Sequence, residues 1–171
     1  MNDVVLLIGG NMGDRLQLIM LATDMIRKSV GSVVHASSIY ETEPWGFVSD
    51  SSFLNQALFV QTELGPMDLL DVCQSIEVRL GRSRDLSNDI RKKYSSRPMD
   101  IDVIFYNSEV IETSRLLVPH PRMHLRNFVL RPLCDIIPDY VHPILGKTIN
   151  ELFVECKDES GTIKETASPL S

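Results

Sequence analysis

Two helical apolar stripes are threaded between four strand-like runs, and their order along the chain restricts the possible folds more than any other feature. Val4 to Ile8 is a short buried-strand pattern. Asp14 then stands at an N-cap position before Leu18, Leu21, Ala22, Met25 and Ile26, which recur at helical spacing and are closed by Gly31. Ser32 to Thr42, rich in β-branched residues, reads as a second strand. The breaker-rich stretch Glu43-Pro44-Trp45-Gly46 through Ser52 interrupts it, and Phe53 to Leu64 reads as a third. Pro66 opens a second helix with Leu69, Val72, Cys73, Ile76 and Leu80 on one face, and Asp100 to Tyr106 is a fourth strand.

Strand, helix, strand, strand, helix, strand is the order of a split βαβ unit. It predicts an α+β fold with a ferredoxin-like βαββαβ core, an antiparallel or mixed sheet flanked by helices. Arg126 to about Phe153 adds a Pro-punctuated C-terminal helical extension. At 171 residues, 43% hydrophobic and 23% charged, the chain matches one globular domain, placed at 1–156, and the aperiodic polar stretch 157–171 is expected to be a disordered tail. Val4 to Ile8 is too short for a signal h-region or a bilayer span, so a soluble, cytoplasmic chain is expected. Cys73, Cys134 and Cys156 are odd in number and lack C-x-x-C spacing, as expected of reduced thiols.

The net charge of −6 argues against a broad nucleic-acid or membrane-surface footprint. Basic charge is concentrated instead. Between positions 82 and 97, Arg82, Arg84, Arg91, Lys92, Lys93 and Arg97 stand against Asp85 and Asp89, six cations less two anions, or +4. Such a run suits an anionic ligand, or it is a solvated loop. Immediately after it comes Asp100-Ile101-Asp102-Val103-Ile104-Phe105. Strand periodicity puts Ile101, Val103 and Phe105 on one face and both carboxylates on the other, with Cα atoms about 6.5–7 Å apart. Paired acids at that spacing suit Mg²⁺, and the neighbouring cations suit the phosphates that such ions bridge; a solvent-facing edge strand is the alternative.

Two phosphate-loop look-alikes fail. Gly146-Lys147-Thr148 lacks the first glycine of a P-loop, since Val141 occupies that position, and Gly10-Asn11-Met12-Gly13 has Ile8 at the first glycine position of a dinucleotide fingerprint. Gly9 and Gly10 either let a ligand approach the backbone or make a tight turn. Phe53 and Asn55 share a strand face, as an aromatic platform beside a two-sided amide or as a core Phe beside an edge Asn. Gln74 and Glu77 are i,i+3 neighbours, His120 and His124 lack the partners of a zinc site, and Arg115, His120, Arg122 and Arg126 form a second basic cluster.

In order, Ile8-Gly9-Gly10-Asn11-Met12-Gly13-Asp14, Ser37-Ser38-Ile39-Tyr40-Glu41-Thr42-Glu43-Pro44, Phe53-Leu54-Asn55, Gln74-Ser75-Ile76-Glu77, Gly81-Arg82-Ser83-Arg84, Arg97-Pro98-Met99-Asp100-Ile101-Asp102, Val118-Pro119-His120 and Arg126-Asn127-Phe128 resemble the 6-hydroxymethyl-7,8-dihydropterin pyrophosphokinases of folate biosynthesis. The resemblance implies transfer of the β,γ-pyrophosphoryl group of ATP to the pterin hydroxymethyl oxygen, with release of AMP. It implies two Mg²⁺ ions held by Asp100 and Asp102, and Arg84 and Arg97 as catalytic cations. By family position, Gln74, Glu77, Arg84, Lys93, Tyr94, Arg97, Val103, Arg115, His120 and Arg126 contact ATP. Gly9, Thr42, Pro44, Trp45, Phe53, Asn55 and Phe128 contact the pterin. Tyr94 stands where the family often has Trp, Ser95 where Gly is usual, Phe53 where Tyr is common, Trp45 where Leu is common and Pro121 where an aromatic often sits. The stretches 43–52 and 82–97 are expected to be lids, and the chain is expected to act as a monomer on two small molecules, without nucleic acid or membrane.

Overall fold

A computed structural model describes residues 1–42, 52–81, 98–158 and 164–167. Its elements are β1 (Asn2–Gly10), α1 (Arg15–Ser29), β2 (Gly31–Ala36), β3 (Ile39–Thr42), β4 (Phe53–Thr62), α2 (Pro66–Arg79), β5 (Asp100–Tyr106), β6 (Ile111–Glu112), β7 (Leu117–Val118), α3 (Asn127–Ile136), α4 (Ile149–Glu155) and β8 (Lys164–Ala167). The fold is mixed α and β. In the main sheet the strands run β5-β1-β4-β3-β8 with β2 also on β4, every pairing antiparallel, while β6 and β7 form a separate ribbon. Among the described residues, no helix is long and apolar enough to cross a membrane.

Period-two alternation in β1 sends Val4, Leu6 and Ile8 to one face and Val5 and Leu7 to the other, and both faces are covered. Below, α1 and α2 bury Ile19, Ala22, Ile26, Leu69, Cys73 and Ile76; above, α3 and α4 bury Val129, Leu130, Leu133, Ile149 and Leu152. Truncating one of the fully buried members, such as Leu69 or Leu130, to Ala costs about 2–5 kcal/mol. The α1 stripe is rotated from the sequence expectation. Ile19 and Thr23 are buried in it, while Leu21 is 43% exposed. Asp14 does cap α1, accepting from the Gln17 N–H at 3.1 Å, and Pro66 occupies the first turn of α2.

Three expectations are corrected. The single strand read over 32–42 is two, because Ser37 breaks it. The Ser37 Oγ accepts from Ala57 N at 2.9 Å, the Ser37 carbonyl accepts from the Gln56 side chain at 2.8 Å, and β2 and β3 pair with separate parts of β4. The tail is not structureless throughout: Lys164–Ala167 pairs with β3. Hydrophobic periodicity gives no warning of such a strand, since it joins the sheet through main-chain hydrogen bonds to an open edge, with Glu165 and Thr166 exposed. Third, Phe105 does not share a face with Ile101 and Val103. Val5 pairs with Phe105 and Leu6 with Val103, so Ile104 is an extra residue, a β-bulge, and the alternation reverses beyond it. Phe105 therefore enters the upper core, where its ring meets Tyr140 at 4.5 Å between centroids and the edge of His142 at 5.7 Å.

His142 is 4% exposed, and its Nδ1 accepts two backbone hydrogen bonds at 3.1 Å, from Ile144 and Leu145. Burial, with the His124 charge nearby, lowers its pKa. A folded-state pKa below the unfolded one means that the unfolded chain binds more protons, so stability present above the unfolded value of about 6.5 is lost as pH falls through it toward the folded value. We expect the melting temperature to drop between pH 7 and pH 5, with a shallower slope in His142→Asn, whose Oδ1 keeps an acceptor but cannot titrate. An equal slope in the variant would assign the pH dependence elsewhere.

Candidate active site

The site lies on the α3 side of the sheet, at the end where β1 and β3 finish and β4 and β5 begin. Register determines who meets whom. Asp100 is opposite Gly9, Gly9 opposite Asn55, and Asn55 opposite Tyr40, so four strands place these residues in one row on one face. Asp102, opposite Leu7, and Phe53, opposite Thr42, lie on the same face. Both carboxylates thus share a face, and at a strand spacing of about 4.8 Å the Asp100 backbone stands about 10 Å from that of Asn55, with Gly9 as the floor between. Gly9 is needed there because a Cβ would overlap the Leu54 carbonyl and the Asn55 amide oxygen. Its role is close approach within a strand rather than a turn.

The strand ends are held from below by a cluster that sequence spacing does not reveal. Arg15, in the first turn of α1, donates to the Ser52 carbonyl at 2.7 Å and its hydroxyl at 3.0 Å, and lies 3.6 Å from Glu41. The Ser52 hydroxyl donates to Glu41, and that bond, with Arg15 alongside, holds the Glu41 carboxyl below the usual range. Thr42 and Phe53, the neighbours of Glu41 and Ser52, are directed by the pleat to the opposite face, where the site is.

Above the row, α3 contributes Phe128 in its first turn, and the Arg126 guanidinium lies 5.6 Å from the Phe128 ring centre. The far end of α3 is tied to β3. Asp135 accepts from the Tyr40 hydroxyl at 2.7 Å and the Ser38 N–H at 3.1 Å, and pairs with Arg131 at 3.1 Å. Burial, and then the Asp135 carboxylate, push the Tyr40 hydroxyl up to about 12, so it remains a donor. These anchors escape sequence reading, which sees only an i,i+4 Arg131–Asp135 pair.

β5 is an edge strand of the main sheet, and two segments close on its open side. Glu77 of α2, 5% exposed, accepts from Ile101 N–H at 3.0 Å, so it is no surface residue. On the other side, His120 N–H donates to the Ile104 carbonyl at 3.1 Å. Strand periodicity points the Val103 main chain outward between them. One turn before Glu77, Gln74 accepts from Arg115 at 3.2 Å, while Arg115 is ion-paired with Asp71 at 2.6 Å. The second basic cluster is therefore divided: Arg115 pairs with Asp71 of α2, while Arg126, Asp100 and Arg122 all act electrostatically on His120. Burial, and then the Arg126 charge, lower the His120 pKa despite Asp100. Its Nδ1 accepts from Arg122 N–H at 3.3 Å, so the proton sits on Nε2, which is left as a donor. His124 instead meets His142, at 6.5 Å between centroids.

Cys73 lies beneath, its thiol pushed up to about 12 by burial, with the Glu77 and Asp102 charges adding to the shift. Gly146-Lys147-Thr148 has only structural work: Gly146 takes a φ of 67°, Lys147 pairs with Glu155 at 2.6 Å, and Thr148 caps α4 by accepting from Glu151 N–H at 3.1 Å. Of the predicted site residues, the structure gathers Gly9, Thr42, Phe53, Asn55, Asp100, Asp102, His120, Arg126 and Phe128 on or over one sheet face, and Gln74, Glu77, Val103 and Arg115 at its β5 edge. Pro44, Trp45, Arg84, Lys93, Tyr94 and Arg97 lie outside the described residues, as do the two expected lids except for Ser52.

Asp100 and Asp102 form a pair of hard oxygen donors. Among the described residues no group of three or more His, Cys, Asp or Glu is arranged to hold a metal by itself. That donor set fits Mg²⁺, which keeps several waters and binds through one or two carboxylates plus the phosphates of a substrate.

The sequence matches the family described as 7,8-dihydro-6-hydroxymethylpterin-pyrophosphokinase (HPPK) over residues 5–138. It is 40% identical over 141 residues to a 2-amino-4-hydroxy-6-hydroxymethyldihydropteridine pyrophosphokinase of Porphyromonas gingivalis, covering 82% of this chain and 93% of that one. A Bacillus subtilis protein of the same name is 40% identical over 138 residues, 80% of this chain and 79% of its own. The folic acid synthesis protein fol1 of Pneumocystis carinii is 36% identical over 155 residues, 91% of this chain but 20% of that much longer one. Among solved structures, Plasmodium falciparum HPPK-DHPS with pteroate superposes with a TM-score of 0.72 at 20% identity, over 90% of this chain and 42% of that chain. The present chain thus corresponds to less than half of that longer protein. The chain belongs to the 7,8-dihydro-6-hydroxymethylpterin-pyrophosphokinase family.

Proposed function

We propose that this chain transfers the β,γ-pyrophosphoryl group of ATP to the hydroxymethyl oxygen of 6-hydroxymethyl-7,8-dihydropterin, releasing AMP, a step of tetrahydrofolate biosynthesis. The observation that carries it is the row Asp100–Gly9–Asn55, which sets a carboxylate pair one glycine-floored strand away from an amide suited to a flat heterocycle. Asn55 hydrogen-bonds the pterin edge. Thr42, Phe53 and Phe128, with Gly9 beneath, enclose the ring, and Pro44 and Trp45 are assigned to the same pterin site. Asp100 and Asp102 hold two Mg²⁺ ions, which when bound neutralise the triphosphate and orient it toward the acceptor.

Gln74, Glu77, Arg115 and the Val103 main chain accommodate the nucleoside along the β5 edge, a reading supported by the position of β5 at the sheet edge beside Gln74 and Glu77. His120 donates from Nε2, and Arg126 supplies positive charge, to the phosphates. Lys93 and Tyr94 complete the nucleotide site, and Arg84 and Arg97 neutralise charge developing on the oxygen between the α- and β-phosphorus. In the reaction the acceptor oxygen bonds the β-phosphorus, the bond from that phosphorus to the α,β-bridging oxygen breaks, AMP leaves with that electron pair, and a proton is released. Positioning and charge neutralisation supply the acceleration.

The strand order supports a ferredoxin-like βαββαβ core with α3 and α4 as a C-terminal helical extension. We place the enzyme in the cytoplasm, acting as a monomer. The test is incubation with ATP, Mg²⁺ and 6-hydroxymethyl-7,8-dihydropterin, with the nucleotides resolved by chromatography. AMP formed in step with a diphosphorylated pterin, and only with Mg²⁺, is expected. ADP, or no pterin-dependent consumption of ATP, would overturn the reading.

A further inference from the structure

We infer that Asp158, in the C-terminal segment beyond the family match, is a positioning residue for both substrates, acting by capping α3 from outside the helix. The N-cap residue of α3, Arg126, makes no side-chain capping bond. The missing acceptor comes from 31 residues later in the chain: Asp158 Oδ2 accepts from Asn127 N–H at 3.1 Å, and the Asp158 carbonyl accepts from Asn127 Nδ2 at 2.7 Å. A carboxylate at a helix N-terminus satisfies an orphan N–H and meets the positive end of the helix dipole. The Asn127 amide keeps this orientation although its own buried Oδ1 is left without a hydrogen-bond partner, an arrangement that costs stability unless the Asp158 contact outweighs it.

Asn127 sits between Arg126 and Phe128, and α3 has 10 residues, so its first turn is a third of its length. Asp135 ties the last turn to β3, and Asp158 ties the first. Without Asp158 the first turn frays, and the Phe128 ring and the Arg126 guanidinium move with it. The segment then returns to the opposite wall, where β8 pairs with β3 and the Thr166 hydroxyl donates to Glu41 at 3.3 Å. The family match ends at residue 138, so this brace lies outside it.

The inference rests on the assignment of Phe128 to the pterin and Arg126 to ATP, and the experiment separates the two. In the full-length chain, Asp158→Ala and Asp158→Asn are compared with the unaltered protein by calorimetric titration with α,β-methylene-ATP and Mg²⁺, then with 6-hydroxymethylpterin. Amide exchange of residues 127–130 is followed in parallel. Asp158→Ala is expected to weaken both ligands by about three- to tenfold, the size of a lost cap, and to speed exchange in the first turn of α3. Asp158→Asn, which keeps an acceptor oxygen, recovers most of the affinity. Unchanged exchange in Asp158→Ala, or faster exchange with unchanged affinity for both ligands, would overturn the inference. An unaltered protein that binds neither ligand would instead overturn the proposed function, while exchange still reports the cap.

Discussion

Asp100→Ala and Asp102→Ala should each lower turnover by about 10³-fold or more while the protein stays folded, a loss of about 4 kcal/mol of transition-state stabilisation. The size follows from the donor set. Among the described residues the two aspartates have no third acid, His or Cys arranged with them for a metal, so in the proposed site a single substitution removes one of the two described carboxylate ligands. Folding survives because the neighbours do the packing: Met99, Ile101 and Val103 are at most 5% exposed, whereas both aspartates are partly open to solvent. Steady-state rates over a Mg²⁺ series, with circular dichroism melts, check this. A variant that keeps most of its activity would remove these carboxylates from the metal site. Recovery at high Mg²⁺ would show that the residual ligand still binds, only more weakly.

Gly9→Ala should raise the pterin dissociation constant by about 10- to 100-fold, the worth of one or two hydrogen bonds of about 1–1.5 kcal/mol each, and leave ATP binding within a few-fold. The added Cβ meets two oxygens. The Asn55 amide can swing aside, but the Leu54 carbonyl belongs to the β1–β4 ladder and moves only if the strands separate. Relieving both overlaps moves the Asn55 amide and the β4 main chain that carries it, which is why pterin affinity suffers more than nucleotide affinity. Overpacking also costs about 1–3 kcal/mol of stability, so titrations belong well below the melting temperature. Equal pterin affinity in the variant would show that Asn55 is not the amide that recognises the ring.

Much of the architecture is legible along the chain, for a definable reason. Element order, the Asp14 cap, Pro66 at the start of α2 and the span of β5 depend on local propensity and on a period set by backbone geometry. The aspartate pair is legible too, because two residues apart on a strand means one face. Where local rules are broken, the reading slips. The Ile104 bulge adds one residue, which suffices to move Phe105 into the other core. Ser37 divides a strand because its hydroxyl takes the Ala57 N–H and its carbonyl takes the Gln56 side chain, while its own N–H still bonds the Ala57 carbonyl. β8 adds backbone to an open edge and leaves no apolar signature.

The sequence by itself determined which chemistry this protein can hold: hard paired carboxylates, concentrated cations, an aromatic and amide strand face, and ordered segments that point to one family. Only the tertiary structure decided how those parts face one another. Register across β5, β1, β4 and β3 set Asp100, Gly9, Asn55 and Tyr40 in a row. Asp135 at one end of the helix above it, bonded to Tyr40, and Asp158 at the other end fixed that helix through contacts between segments far apart in the chain. Residue type and spacing encode short-range preference, whereas a site assembled across strands depends on pairings between distant segments, which are selected by the burial of both sheet faces at once.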